Sequence, residues 1–159
     1  MELIIKGLKD EDFVNYKRCS MFISWPHCTF KCDRENGAQY CQNMPLTRCP
    51  NVKIDSLDLV RRYITNPITS AIVMGGLEPL DSFDELLQLI KELRKFTDDD
   101  IVIYTGYEPH EVLGQTNALK AFPNIIIKWG RFRPNQPPHL DPILGVKLAS
   151  DNQYAEKIS

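Results

Sequence analysis

Short apolar runs alternate with helical stretches along this chain, and that alternation limits the folds open to it. Ser70-Ala71-Ile72-Val73-Met74, Ile101-Val102-Ile103-Tyr104 and Asn124-Ile125-Ile126-Ile127-Lys128 are too short for buried helices and read as strands. Met21-Phe22-Ile23-Ser24-Trp25 is a further such run, a strand over about 20–25 ended by Pro26. Between them, Asp55 or Ser56 caps a helix to about Thr65 with Leu57, Val60 and Ile64 on one face, and Asn66-Pro67 stops it. Ser82-Phe83-Asp84-Glu85 has the form of a capping box, and Phe83, Leu86, Leu87, Ile90 and Leu93 continue as a stripe to about Phe96. Pro109 to Leu119 reads as another helix, with proline in its first turn. Strand and helix alternating at this spacing predict right-handed crossovers and a mainly parallel sheet. Four repeats are too few to close an eight-stranded barrel. The expected fold class is therefore α/β, an open or partial (β/α) barrel. Residues 1–18 read as an added strand or lead-in, and the proline-rich chain beyond Gly130 as mostly irregular.

The length of 159 residues predicts one domain over 1–159. A net charge of −2 gives no general pull toward nucleic acid or anionic membrane. No apolar run approaches the length needed to span a bilayer. The start, Met1-Glu2-Leu3-Ile4-Ile5-Lys6, lacks the long apolar region of a secretory signal, so the expected location is the cytoplasm.

All five cysteines (Cys19, Cys28, Cys32, Cys41 and Cys49) lie in the first third. In a cytosolic chain that pattern points to metal binding or catalysis before disulfides. Cys28-Thr29-Phe30-Lys31-Cys32 is followed by polar residues up to Tyr40-Cys41, within a loop spanning about 26–50. Such a segment has too little apolar surface to order itself, whereas a metal or cluster held by thiolates orders it. The unusual motifs each follow a strand: the cysteines the first, Gly75-Gly76 the second, Thr105-Gly106-Tyr107 the third. In a parallel sheet those ends share one rim, which predicts one shared site. A zinc site using Cys28, Cys32, Cys41 and Cys49 is the competing reading of the thiols. Lys128 reads as a solvated strand end, His27 as an ordinary loop histidine and Asp98-Asp99-Asp100 as a solvated turn.

Taken together, these residues resemble the radical S-adenosylmethionine enzymes, and within them the small activating enzymes of anaerobic ribonucleotide reductase. Cys28 and Cys32 match the first interval of that family's Cys-x3-Cys-x2-Cys motif. Tyr40-Cys41-Gln42-Asn43 is similar to its third cysteine, with the preceding aromatic and a following asparagine. That match implies a six-residue insertion, since the strict third position is Glu35. Gly75-Gly76-Leu77-Glu78-Pro79 resembles the family's Gly-Gly-Glu-Pro turn with Leu77 inserted. Tyr104-Thr105-Gly106-Tyr107 is similar to a Tyr-Thr-Gly-Tyr of the activating enzymes, and Ser150-Asp151-Asn152-Gln153 to their C-terminal Ser-Asn-Gln segment.

The resemblance implies that Cys28, Cys32 and Cys41 hold a 4Fe-4S cluster with one iron left open for S-adenosylmethionine. Tyr40, Gly75, Gly76, Glu78 and Thr105 would shape the cofactor pocket. It implies an oxidoreductase of the glycyl-radical activating type. Reductive cleavage of S-adenosylmethionine would yield a 5′-deoxyadenosyl radical that takes hydrogen from a glycine of a large reductase subunit. A flavodoxin- or ferredoxin-like protein would supply the electron. A small-molecule substrate for the same chemistry and a non-catalytic four-cysteine zinc module are the alternatives.

Overall fold

The computed structural model describes residues 1–37 and 43–159, the side chains of Lys31, Cys32 and Asn36 excepted. The chain opens with β1 (Glu2–Ile5), β2 (Gly7–Asp12) and β3 (Ser20–Trp25), followed by two short helices, α1 (Lys31–Asn36) and α2 (Met44–Thr47). After β4 (Val52–Asp55) come α3 (Ser56–Ile64), β5 (Ala71–Gly76), a 3-10 turn over Pro79–Ser82 and α4 (Phe83–Leu93). Then follow β6 (Asp100–Tyr104), a second 3-10 turn over Pro109–Glu111, α5 (Leu113–Leu119) and β7 (Ile125–Trp129). The C-terminal part adds β8 (His139–Asp141), β9 (Val146–Leu148) and β10 (Tyr154–Lys157).

The main sheet has six strands in the order β10-β7-β6-β5-β3-β2. Its four central strands run parallel, while β2 and β10 close its two edges antiparallel. Two separate antiparallel ribbons, β1 with β4 and β8 with β9, complete the strand pairing among the described residues. The expectation of a mainly parallel sheet in an open or partial (β/α) barrel is thus overturned: this is an open, mixed sheet. The cause lies in the connections. A parallel neighbour needs a crossover of a dozen or more residues. The link from β2 to β3 is too short for one and returns the chain antiparallel. The segment expected to be irregular after Gly130 instead supplies three strands, and β10 caps the β7 edge.

Alternation along the strands divides the core in two. Met21, Ile23, Trp25, Ile72, Met74, Ile101, Ile103, Ile125 and Ile127 face α3 and α4 through Leu59, Val60, Tyr63, Leu86, Leu89, Ile90 and Leu93. Ala71, Val73, Val102 and Ile126 point the other way, where Tyr16, Leu144 and Leu148 cover them. Asp55 caps α3, accepting the Leu57 N–H at 2.9 Å. The face of α3 that packs inward is Leu59, Val60 and Tyr63; Leu57 and Ile64 are exposed. Tyr63 is drawn in because its hydroxyl donates to Asp99 at 2.6 Å, and Tyr16 donates likewise to Asp100 at 2.7 Å. The aspartate run is therefore an anchoring point for two buried tyrosines rather than only a solvated turn. The capping box expected at Ser82 does not form: Pro79–Ser82 is already wound, and the buried Ser82 hydroxyl makes no cap bond.

Asp141 ties the C-terminal segment to the sheet. Its buried carboxylate accepts the N–H groups of Ile143 (3.0 Å), Leu144 (2.9 Å) and Ala155 (3.0 Å), linking the β8–β9 turn to β10. Removing that acceptor leaves buried donors without partners. Asp141→Ala is expected to lose about 3 kcal/mol of unfolding free energy in urea denaturation; an unchanged midpoint would show that the segment is held by packing alone.

Candidate functional site

The parallel register brings the C-terminal ends of β3, β5, β6 and β7 to one rim. Trp25 pairs with Gly76, and Tyr104 with Lys128. Beyond the strands the ladder continues in the loops. Leu77 N–H donates to the Trp25 carbonyl at 3.2 Å, and Glu78 N–H to the His27 carbonyl at 2.7 Å. The Gly-Gly turn is thereby laid alongside the entry to the cysteine loop, one residue from Cys28.

Gly76 needs to be glycine: its φ is +83°, and a Cβ there would stand 2.8 Å from Ser24 Cα and 2.9 Å from the Trp25 nitrogen. Gly75 makes room for packing, since a Cβ would lie 2.8 Å from the tip of the Phe22 ring. Glu78 follows on the same turn and is 6% exposed. One of its oxygens accepts the Leu80 N–H (3.0 Å) and the Thr105 hydroxyl (2.9 Å); the other accepts the Gly106 N–H (2.8 Å). Of the residues expected in the pocket, Gly75, Gly76, Glu78 and Thr105 are brought together, and Glu78 and Thr105 bond each other directly. Tyr40 and Cys41 lie outside the described residues, as does the Cys32 side chain, although its backbone belongs to α1.

The described parts of the cysteine loop are fastened to this rim. Cys28 is half-buried, and its Sγ accepts the Phe30 N–H at 3.2 Å, where Phe30 takes a left-handed φ of 55°. Thr29 N–H donates to Asp81 at 3.2 Å, and the other Asp81 oxygen accepts the Tyr107 hydroxyl at 2.6 Å. Glu35 of α1 pairs with Arg131, Nε to Oε1, at 3.2 Å. Asn43 Nδ2 donates to the Gly76 carbonyl at 2.7 Å. Cys49 is exposed, its carbonyl bound by Lys6 Nζ at 2.6 Å, and Cys19 is half-buried at the foot of β3. Among the described residues, no group of three or more His, Cys, Asp and Glu side chains is placed to hold a metal ion.

Several rim residues went unread in the sequence. Asp81 follows the second motif and had only an unremarkable loop chemistry to show, and Tyr107, inside the third motif, had been given no role. Lys128, expected to be a solvated strand end, is buried: its ammonium donates to the Gly130 carbonyl at 3.0 Å and lies 5.7 Å from the Tyr104 ring centre. Arg131 is buried as well and reaches both Glu111 oxygens, at 2.6 and 2.9 Å. The residue pattern Lys128-Trp129-Gly130-Arg131 ends a strand just as the other motifs do, which was the available signal.

Burial pushes the Glu78 carboxyl up to about 7, with the nearby Asp81 charge adding to the effect; the Gly106, Leu80 and Thr105 donors pull the other way. A carboxyl raised in the folded state stabilises the fold below its unfolded value of about 4.5, and loses that contribution as pH rises through about 7. Across that window the unfolding free energy of the wild type, measured relative to Glu78→Gln, is expected to fall by about 3 kcal/mol. A pH-independent difference between the two proteins would mean that folding leaves the Glu78 titration unshifted.

Among the described residues, no helix is long and apolar enough to cross a membrane. A search of curated proteins gives no match to this chain. A family model described as a 4Fe-4S single cluster domain matches residues 16–149, a span that runs from just before β3, through the cysteine loop and the rim, to just past β9. The chain belongs to the 4Fe-4S single cluster domain family and is an iron–sulfur, metal-binding protein.

Proposed function

We propose that the cluster is held by Cys28, Cys32 and Cys41, and that the protein is a radical S-adenosylmethionine enzyme of the glycyl-radical activating type. The observation that carries this reading is the convergence of three strand-end loops on Cys28: the Gly75-Gly76-Leu77-Glu78 turn runs beside it, and Glu78 binds the third loop through Thr105 and Gly106. The residues present fit a thiolate-bound cluster. Cys28 Sγ already accepts a backbone N–H, and such bonds to sulfur stabilise the anionic ligand and tune its cluster. Cys28, Cys32 and Cys41 would supply three thiolates to the four irons, which would leave room for S-adenosylmethionine as a further ligand.

Held by these thiolates, a 4Fe-4S cluster would supply the low-potential electron for reductive cleavage of the S-adenosylmethionine sulfonium. The protein's task is to place the cofactor and exclude water. Gly76 brings bare backbone to the rim, and its carbonyl is oriented by Asn43. Glu78 spends its oxygens on the protein, so it acts by fixing the second and third loops against each other. Thr105 shares that bond, and Tyr40 would flank the third thiolate. The substrate of this reading is a glycine Cα on a large anaerobic ribonucleotide reductase subunit, and the electron donor a flavodoxin- or ferredoxin-like protein. A protein substrate would close the site with its own surface.

Reconstituted without oxygen, the wild type is expected to hold about four irons per chain. With a low-potential reductant it should turn S-adenosylmethionine into 5′-deoxyadenosine and methionine. Cys28→Ala, Cys32→Ala and Cys41→Ala should each lose iron and product, whereas Cys49→Ala keeps both. Loss in Cys49→Ala with retention in Cys41→Ala would move the third ligand. Product formation without a glycyl radical signal on a cognate reductase subunit would refute the proposed substrate.

A further inference from the structure

The helix α1 has a problem of its own. It is six residues long and strongly polar, and an isolated helix of that length does not persist in water. Its N-terminal flank at Phe30 has no side-chain cap; Gly37, left-handed at φ 70°, closes only its C-terminal end. Its order has to come from what it leans on.

Arg131 is what it meets on the rim. In the sheet order, β7 stands three strands from β3, with β6 and β5 between them. The cysteine loop leaves β3, yet Glu35 reaches Arg131, which lies just beyond β7. The guanidinium is held by a second carboxylate: both oxygens of Glu111 engage its NH2, and Glu111 is fixed in turn by accepting the Glu108 N–H at 2.8 Å. The Arg131 stem passes over the third loop, its Cγ 3.6 Å from where a Gly106 Cβ would stand. A planar cation so braced presents its remaining edge in a fixed direction. Its side chain is 9% exposed against 54% for Glu35, so the pair joins a buried guanidinium to an exposed carboxylate of α1.

We infer that Arg131 is a positioning residue for the cysteine loop: through Glu35 it docks α1 across the strand ends, spanning the rim before a cluster is assembled. This deepens the proposed function and rests on its assignment of the cluster to Cys28, Cys32 and Cys41. Arg131 is not offered as a cluster ligand or a cofactor contact; its influence passes through Glu35.

The test compares wild type, Arg131→Met, Glu35→Gln, the double variant and Glu111→Gln. Amide exchange of residues 31–37 is followed in the cluster-free protein, and iron release to a chelator in the anaerobically loaded protein. Arg131→Met and Glu35→Gln should each speed exchange and iron loss by about threefold, as a partly exposed ion pair allows. The double variant should go no further than the larger single change. Glu111→Gln, which weakens the brace on Arg131 but spares the Glu35 pair, should speed exchange in α1 by less than Arg131→Met or Glu35→Gln does. Glu35→Gln behaving as wild type in both assays overturns the inference, and because Glu35 is exposed that variant folds even if Arg131→Met does not. Retention of iron by Cys41→Ala would overturn the ligand assignment and confine Arg131 to clasping α1, which exchange in the cluster-free protein reads separately.

Discussion

Everything at the rim depends on one buried carboxylate. Glu78 gathers the Leu80 and Gly106 N–H groups and the Thr105 hydroxyl, while its own N–H reaches the His27 carbonyl. In one residue the first loop, the second and the third are joined. The alternative partner for those donors is water, and burial removes it; a buried polar group left unmatched costs more than a matched one returns. The elevated titration of Glu78 is the other face of the same fact.

The sheet places that carboxylate. Parallel pairing of β3, β5, β6 and β7 sets three loop origins side by side, as no hairpin arrangement would. The antiparallel edges serve a different end. β10 covers the outer side of β7, and the segment leading to it lays Leu144 and Leu148 over the face that the helices leave open. That segment also fixes the fourth rim element, since Asn152 and Gln153 bond the carbonyls of Arg131 and Gly130. A mixed sheet thus gives this short chain both a rim and a cover.

The central strands were legible because continuous β-branched runs bounded by glycine, proline and aspartate admit few other readings. The rim was legible for the same reason, because each motif followed a strand. The inward face of α3 was not: Val60 belongs equally to the stripe with Leu57 and Ile64 and to that with Leu59 and Tyr63, and only the distant Asp99 decides between them. The edge strands were hidden because they are short and polar, and their pairing is set by connection length rather than by composition. The roles of Lys128 and Arg131 were hidden because burial, with the Tyr104 ring beside one and Glu111 against the other, is set by elements distant in sequence. A lysine on a strand end is ordinarily solvated; here the Gly130 carbonyl and the Tyr104 ring replace the water. Tyr40, Cys41 and the Cys32 side chain, singled out from the sequence, lie outside the described residues.

A cluster held by three cysteines has one iron unlike the other three, and that asymmetry is open to direct observation. Mössbauer spectra of the anaerobically loaded, iron-57-enriched protein should change at one iron site in four when S-adenosylmethionine is added. Four sites that do not respond to it, or a protein that binds a single zinc in place of iron, would contradict the account.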